Sequence, residues 1–306
     1  DSCLFNEEGT PRLRTDGRST GSGYNSPTIW RLRCRAVHSL VVDPVSALRS
    51  YVRAVSYSPP SDVPTTRDLV LPDARSVSIW INLHQDEFAT YRTLTEERRT
   101  TGGAIAAGPT DHAAIIEIEA GRSHVCIDFA PGAAHAVLGD QLIELRNEMV
   151  DLHEVRKDTA TWREQILDAP SPAAMLALVC DELMSRVRDV DVDLAAVELA
   201  RLLDLGTSVS AAADQIGLTT RTLLRRFTRA FGVTPKRYAR VQRLNQLARS
   251  IAGTPVVDWA SEAAAHGYAD QAHLIDDFRD LVGVTPSAYL AARGAGPTHV
   301  TLEAAP

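Results

Sequence analysis

The segment Gly232-Val233-Thr234-Pro235-Lys236-Arg237-Tyr238 returns 51 residues later as Gly283-Val284-Thr285-Pro286-Ser287-Ala288-Tyr289. Each copy is preceded by an alanine-rich segment, a glycine and a segment that ends in phenylalanine. The glycines are Gly217 and Gly267, and the phenylalanines are Phe227 and Phe278. Repetition at a fixed period indicates one supersecondary unit used twice. The apolar spacing in each copy predicts a helix, a short glycine turn and a second helix, which is a helix-turn-helix.

The second predicted helix of the first copy has one apolar and one cationic face. Leu223, Phe227 and Phe231 recur at helical spacing and predict the buried face. At about 100° per residue the opposite face carries Arg221, Arg225 and Thr228, with Arg229 beside them. Such a helix suits a DNA major groove, because arginine can donate two hydrogen bonds to guanine or pair with phosphate. A solvated charged face is the alternative, and the glycine turn and the repeat favour DNA.

Charge is distributed unevenly along the chain. The net charge is −7, which alone argues against a nucleic-acid partner. Residues 207–253, however, hold nine Lys and Arg against one acid, whereas residues 254–293 hold two Arg against six acids. The local patch decides binding. We therefore expect the first unit to supply most of the DNA-binding energy.

The stretch 191–293 resembles the DNA-binding domain of the AraC/XylS transcription regulators. The resemblance rests on Arg221-x-Leu223-x-Arg225-x-Phe227, the two Gly-x-x-Pro-x-x-Tyr phrases, Arg243-Leu244 and Gly267-Tyr268-x-Asp270-Gln271-x-His273-Leu274. It implies that the second helix of each unit enters adjacent major grooves of double-stranded operator or promoter DNA. The candidate DNA-binding residues are Thr220, Arg221, Leu224, Arg225, Thr228 and Arg229 in the first unit, and Gln271, Ala272, His273 and Asp276 in the second. Asp276 stands where the family very often has arginine, which argues against strong base reading by the second unit.

Short apolar runs rich in β-branched residues occupy residues 30–129, between turns that carry Pro and Gly. They predict a sheet sandwich or barrel, with strands over 36–42, 51–57, 68–71, 76–83, 105–107, 113–119 and 125–129. The segment resembles the cupin-like sensor domains of the same regulators in its Leu71-Pro72-Asp73 turn, in Gly108-Pro109 and in the run 129–134. Such a barrel can hold a small ligand. The candidate effector-pocket residues are Trp80, Asn82, Phe88, Tyr91, His112 and Phe129, with a core or surface role as the alternative for each.

Helical spacing predicts the first helix of the DNA-binding domain over 194–205 and, before it, helices over 138–149, 161–167 and 172–188. In the family such helices often pair two subunits; packing on the barrel of the same chain is the alternative. The predicted fold is an α+β multidomain chain. Its parts are a disordered arm over 1–28, a cupin-like sensor and dimerisation domain over 29–190, an AraC-type DNA-binding domain over 191–293 and a tail over 294–306. Within the DNA-binding domain, the first helix-turn-helix covers 209–230, a linker helix 235–252 and the second helix-turn-helix 255–281.

Motifs of the common enzyme classes are missing from the sequence. It has no Gly-x-Ser-x-Gly, no phosphate loop and no nucleotide fingerprint. A cupin metal site needs two histidines one residue apart, and no His-x-His occurs; His112, His124, Glu117 and His135 are therefore not predicted to bind metal. Cys34, between two arginines, is expected to be a packed strand cysteine rather than a nucleophile. We expect no catalytic residues, no metal and no cofactor.

The expected function is that of a bacterial, sequence-specific transcription regulator controlled by a small molecule in the N-terminal domain. No segment approaches 18 consecutive apolar residues and no signal peptide is visible, so a cytoplasmic location without membrane contact is expected. The expected partners are double-stranded DNA, a small-molecule effector, a second copy of the chain and RNA polymerase. The alternative is a ligand-independent regulator whose N-terminal domain serves oligomerisation or protein-partner binding. The sequence identifies neither the effector nor the operator, nor does it distinguish activation from repression.

Overall fold

The computed structural model describes residues 29–34, 37–42, 44, 46–60, 64–91, 98–159, 161–187, 191–254, 256–292 and 299–302. The predicted arm over 1–28 lies outside the described residues. The N-terminal region is built mainly of strands and the C-terminal region of helices, which confirms the α+β prediction. A search of the described residues finds no helix long and apolar enough to cross a membrane.

In the part of the chain that the structure describes, two antiparallel sheets form the framework of the N-terminal region. The strands are β1 (Ile29–Cys34), β2 (Val37–Val42), β3 (Val52–Ser58), β4 (Thr66–Val70), β5 (Ser78–Asn82), β6 (Glu87–Tyr91), β7 (Arg99–Gly102), β8 (Ala104–Ala107), β9 (Ala114–Ile118), β10 (His124–Phe129), β11 (Met149–Asp151) and β12 (His299–Leu302). One sheet has the order β1-β2-β3-β10-β5-β8-β11, and the other β12-β4-β9-β6-β7. Over the described residues the two sheets stay separate and do not close into one barrel.

Four helices cover one face of the seven-stranded sheet. They are α1 (His135–Leu138), α2 (Leu152–Val155), α3 (Trp162–Leu167) and α4 (Pro172–Val187). Strand alternation sends Ile79 and Ile127 to this face, where they share a fully buried cluster with Leu183 of α4. The apolar stripe of α4 therefore packs on the sheet of its own chain.

The single helix predicted over 138–149 is wrong. Gly139 has φ 78° and Asn147 has φ 61°, and this left-handed backbone cannot continue a right-handed helix. Between these two residues the chain makes a 3-10 turn over Asp140–Ile143, and it then enters β11. This turn is important below, because it lies against the C-terminal region.

Over the described residues, the C-terminal region contains seven helices. They are α5 (Leu194–Asp204), α6 (Val209–Ile216), α7 (Thr220–Phe231), α8 (Pro235–Ser250), α9 (Trp259–Ala265), α10 (Gln271–Val282) and α11 (Pro286–Ala292). We call α6 with α7 the first unit and α9 with α10 the second unit. The long helix α8 joins the two units, as the repeat predicts.

The strand β12 was not expected from the sequence. It follows the second unit and returns to the N-terminal region, where it pairs antiparallel with β4 at the edge of the five-stranded sheet. Val300 of β12 is 1% exposed and belongs to an apolar cluster with Leu69, Ile115 and Leu281. The strand β12 therefore packs between the second unit and the sheet.

Shortening Val300 should destabilise the protein, because its side chain joins two regions. Val300→Ala removes two buried methyl groups and leaves a cavity. We therefore expect the free energy of unfolding to fall by about 2 kcal/mol. Urea denaturation followed by circular dichroism measures it. Val256→Ala is the matched control, because Val256 is 83% exposed. Equal stability of the two variants would contradict the packing of β12.

Candidate nucleic-acid interface

The helix α7 is oriented by an aromatic cluster on its apolar face. Phe227 and Phe231 stack with ring centroids 4.3 Å apart, and Tyr238 of α8 meets both rings edge-on at 5.3 and 5.5 Å. All three side chains are at least 98% buried. Because this face is held inside, the opposite face of α7 must lie outside.

Local signals place the start and end of α7. Gly217 ends α6 with φ 76° in the left-handed region, where glycine has no steric cost. The hydroxyl of Thr219 then accepts a hydrogen bond from the backbone N–H of Thr222 and caps α7. Gly232 ends α7 in the same left-handed conformation. The cap of α7 is therefore Thr219, and Thr220 is the first residue of the helix.

The six candidate residues of the first unit lie along one side of α7. Thr220, Arg221, Leu224 and Arg225 are exposed, and Thr228 is half-buried. Leu224, 38% exposed, gives the cationic face an apolar centre. Arg229 is also exposed, but its guanidinium donates two hydrogen bonds to the carboxylate of Asp140, at 2.8 and 2.9 Å. An open groove runs beside this face and is lined by Leu224, Arg225, Thr228 and Arg229 on α7 and by Asp140 and Ile143 on the 3-10 turn.

Several cations of the first unit and α8 are already paired. Arg226 donates two hydrogen bonds to Asp193 at the start of α5, at 2.7 and 2.8 Å. Arg237 pairs with the buried Asp111 of the N-terminal region. Arg221, Arg225 and Lys236, in contrast, have no ion-pair partner within the part of the chain that the structure describes. The charge available to a phosphate backbone is therefore smaller than a residue count indicates.

In the second unit, Gln271, Ala272, His273 and Asp276 are all exposed on α10. His273 is fixed at the start of the helix: its backbone N–H donates to Asp270 and its Nδ1 accepts from Ala269 N at 3.2 Å. Asp276 is 78% exposed and lies 3.8 Å from Arg279.

The other two acids of α10 are turned towards α8. Arg240 of α8 pairs with Asp277 and, at 2.6 Å, with Asp280. Burial alone would lower the pKa of Arg240, but its hydrogen bonds to these carboxylates raise it. Of the three aspartates Asp276, Asp277 and Asp280, Asp276 is thus the one that faces outward without such a partner on α8.

A second candidate site lies on the other face of the seven-stranded sheet. Because Val125, Ile127 and Phe129 of β10 point to the helices, strand alternation sends His124 to the opposite face, where its ring lies 5.0 Å from that of Trp80. Nearby, the guanidinium of Arg122 lies 5.9 Å from the ring centre of Phe88.

Three buried polar atoms in this part of the fold have no hydrogen-bond partner among the described residues. They are His124 Nδ1, Thr101 Oγ1 and Glu119 Oε2. A buried polar atom without a partner is costly, and such atoms often bind water or a ligand. One signal for this group is visible in the sequence: Arg122 and His124 are two residues apart, which puts both on one face of an extended segment.

The structure brings together only part of the predicted effector pocket. Trp80 and Phe88 lie beside this polar group. The side chain of Asn82 donates to Glu87 O at 2.7 Å and accepts from His84 N at 2.9 Å, so it holds its own turn. Tyr91 donates to Glu117 at 2.8 Å and is in the cluster that contacts the second unit. Phe129 packs under the helices, and His112 binds Asp111.

The burial of His124 leads to a prediction about how the stability of the protein depends on pH. Desolvation, followed by the charge of Arg122, lowers the pKa of His124 to about 4. An unfolded histidine titrates near 6.5. The unfolded chain therefore binds more protons between these values, and this contribution to stability is present above about pH 6.5 and is lost as the pH falls towards 4.

The variant His124→Gln should not show this loss of stability as the pH falls, because it has no imidazole to protonate. We expect its free energy of unfolding, relative to that of the wild type, to improve by up to about 3 kcal/mol between neutral and acidic pH. Urea denaturation at several pH values measures the difference. His153→Gln, at an exposed position, is the control and should follow the wild type. Parallel pH profiles for His124→Gln and the wild type would contradict the burial of a neutral His124.

Residues 212–292 match the family model described as a helix-turn-helix domain. The search of curated proteins found no match. Among solved structures, apo ToxT from Vibrio cholerae is 12% identical, with 79% of this chain and 97% of that chain covered and a TM-score of 0.39. ToxT from Vibrio cholerae with bound unsaturated fatty acid is also 12% identical, with coverages of 77% and 94% and a TM-score of 0.38. The AraC-like transcriptional activator CuxR is 13% identical, with coverages of 69% and 80% and a TM-score of 0.30. At these values the solved structures carry no argument about what this chain binds.

Proposed function

We propose, from the match of residues 212–292 to a helix-turn-helix family model, that this chain is a sequence-specific transcription regulator of the AraC type controlled by a small molecule. The cytoplasm is its proposed location, and it carries out no catalytic step. The observation that supports DNA reading most strongly is the face of α7. It presents Arg221 and Arg225, both exposed and free of ion pairs over the described residues, around the apolar Leu224. Arginine reads guanine through paired donors, and an apolar side chain can contact the methyl group of thymine.

The first unit is the main reader in this proposal. The outward face of α10 carries the acid Asp276, which lies 3.8 Å from Arg279, and it has no arginine among its four candidate residues, so it offers little to phosphate. Asp276 can still accept a hydrogen bond from a cytosine amine, which would give the second unit a narrow role in base choice.

The proposed effector site is the space beside the seven-stranded sheet around His124, Arg122, Trp80 and Phe88. Unpartnered buried polar atoms together with aromatic rings are the features of a small-molecule site. Binding there would control DNA reading only if the ligand has different affinities for two arrangements of the regions. A second copy of the chain and RNA polymerase are the further proposed partners.

Removal of one reading arginine tests the function. A duplex selected by the full chain from a random-sequence pool provides the probe, and an enriched sequence is the first expected result. Arg225→Ala should then weaken binding by about 1–3 kcal/mol and relax the choice at one position, because a bidentate base contact is lost. Fluorescence anisotropy on the selected duplex and on a shuffled duplex measures both effects.

Arg53→Ala is the matched control, because Arg53 is a similarly exposed arginine on the seven-stranded sheet. Unchanged affinity and unchanged sequence preference in Arg225→Ala would reject α7 as the reading helix. Equal weakening in both variants would indicate that net charge, rather than base contact, drives binding.

Native mass spectrometry of the chain purified from its own host tests the effector and the subunit count together. We expect a dimer that carries excess mass, and we expect that mass to disappear in a denatured spectrum. A bare monomer would instead support the alternative function, in which the N-terminal region binds a protein partner and no small ligand.

A further inference from the structure

The segment that follows strand β10 lies against the C-terminal end of α7 at three points. A Cβ atom at Gly132 would come within 3.0 Å of the Phe231 ring. The carbonyl oxygen of Leu142 would lie 2.5 Å from a Cβ at Gly232. Asp140 binds Arg229 through both carboxylate oxygens. The 3-10 turn Asp140–Ile143 is therefore seated on the C-terminal end of the helix that reads DNA in the proposed function.

The repeat provides an internal comparison for this contact. Gly232 and Gly283 hold the same position in the two copies of the phrase, and both end a helix with positive φ, 68° and 82°. A Cβ at Gly283 would meet nothing within 4 Å, whereas a Cβ at Gly232 would meet Leu142 and Pro109. The close approach is thus a property of the first unit's surroundings and does not follow from the helix-turn-helix motif.

The position of the turn conflicts with a helix in the major groove. The groove is about 12 Å wide, and a helix with its side chains is about 10–12 Å across, so a sugar-phosphate backbone passes close along each flank. On one flank of α7 the protein has an open groove of its own. Leu224 and Arg225 of α7 line one side of it, and Asp140 and Ile143 of the 3-10 turn line the other. A carboxylate there both repels phosphate and occupies Arg229, a cation that would otherwise bind phosphate.

We propose that the turn Asp140–Ile143 is an autoinhibitory contact, in which Asp140 takes the place of a DNA phosphate on Arg229 and the turn covers one flank of α7. DNA binding requires that the turn leave this flank. This inference rests on the proposed role of α7 in reading DNA. It adds that the N-terminal region competes with DNA for the same helix surface.

Removal of the carboxylate charge tests the competition in the full chain. Asp140→Asn should bind a short mixed-sequence duplex about twofold to fivefold more tightly than the wild type, because an exposed ion pair no longer has to be broken. The plot of log affinity against log salt should also become steeper, because in the wild type salt weakens the competing ion pair between Asp140 and Arg229 as well as the contacts with phosphate. Asp86→Asn is the matched control, since Asp86 is an exposed acid that pairs with Arg163 on the N-terminal region.

Two further comparisons separate the contact from a general charge effect. In an Arg229→Ala background, Asp140→Asn should give a smaller gain in affinity than in the wild type, because the cation that it releases is gone and only the repulsion between Asp140 and phosphate is removed. Gly232→Ala should tighten DNA binding relative to Gly283→Ala: both variants strain a left-handed cap, and only the first collides with Leu142.

The outcomes distinguish this inference from the proposed function. If Arg225→Ala weakens binding while Asp140→Asn leaves both affinity and salt dependence unchanged, α7 reads DNA and the autoinhibitory contact is refuted. An equal gain in Asp86→Asn also refutes it, since any lost acid would then suffice. If Arg225→Ala has no effect either, the reading role of α7 fails, and the inference fails with it.

Discussion

The burial of Phe227 and Phe231 against Tyr238 is the constraint on which the rest of the C-terminal region depends. These three rings determine the rotation of α7 about its axis and join it to the start of α8. Once that face is inside, Arg221, Leu224 and Arg225 have no position other than the surface. The same rings place the end of α7, and with it Gly232, against the N-terminal region. One apolar contact thus fixes both the face that is offered to DNA and the flank that the 3-10 turn covers.

The helices of the C-terminal region could be predicted from the sequence, because their signals are local. A capping threonine, a left-handed glycine and a proline at the first turn each act within a few residues. The strands of the N-terminal region were harder to predict from the sequence. The strands Glu87–Tyr91 and Arg99–Gly102 are partly polar, since they lie in a sheet that carries ion pairs, and they lack the apolar runs that marked the other strands. The strand β12 depends wholly on a distant partner, β4, which no short window of sequence contains.

The charge that the candidate DNA-binding surface offers to DNA could also be predicted only in part from the sequence. The sequence gives nine cations over residues 207–253, and this count led to the first unit as the main source of binding energy. The structure pairs four of them, Arg226, Arg229, Arg237 and Arg240, with aspartates on other elements. Three of those acids, Asp111, Asp140 and Asp193, lie outside the two helix-turn-helix units and are far away in the sequence. The periodicity of a helix predicts the direction in which each arginine points, but it does not predict the partner of that arginine. The face of α7 was therefore predictable from the sequence, and the aspartates that pair with its arginines were not.

The two units differ in how they are attached to the N-terminal region. The second unit shares a continuous apolar cluster with the five-stranded sheet, which includes Leu69, Ile115 and Val300, and separating it would expose fully buried side chains. The first unit receives from the N-terminal region a single residue, Ala74, in its own buried cluster, within the part of the chain described. The 3-10 turn and the residues before it add the close approaches of Gly132 to Phe231 and of Leu142 to Gly232, together with the ion pair between Asp140 and Arg229. Both partners of this pair are exposed, and such pairs contribute only about 0.2–1 kcal/mol and weaken with salt. Of the two attachments, the one beside the reading helix is therefore the less costly to break, and DNA phosphates compete for the same cation.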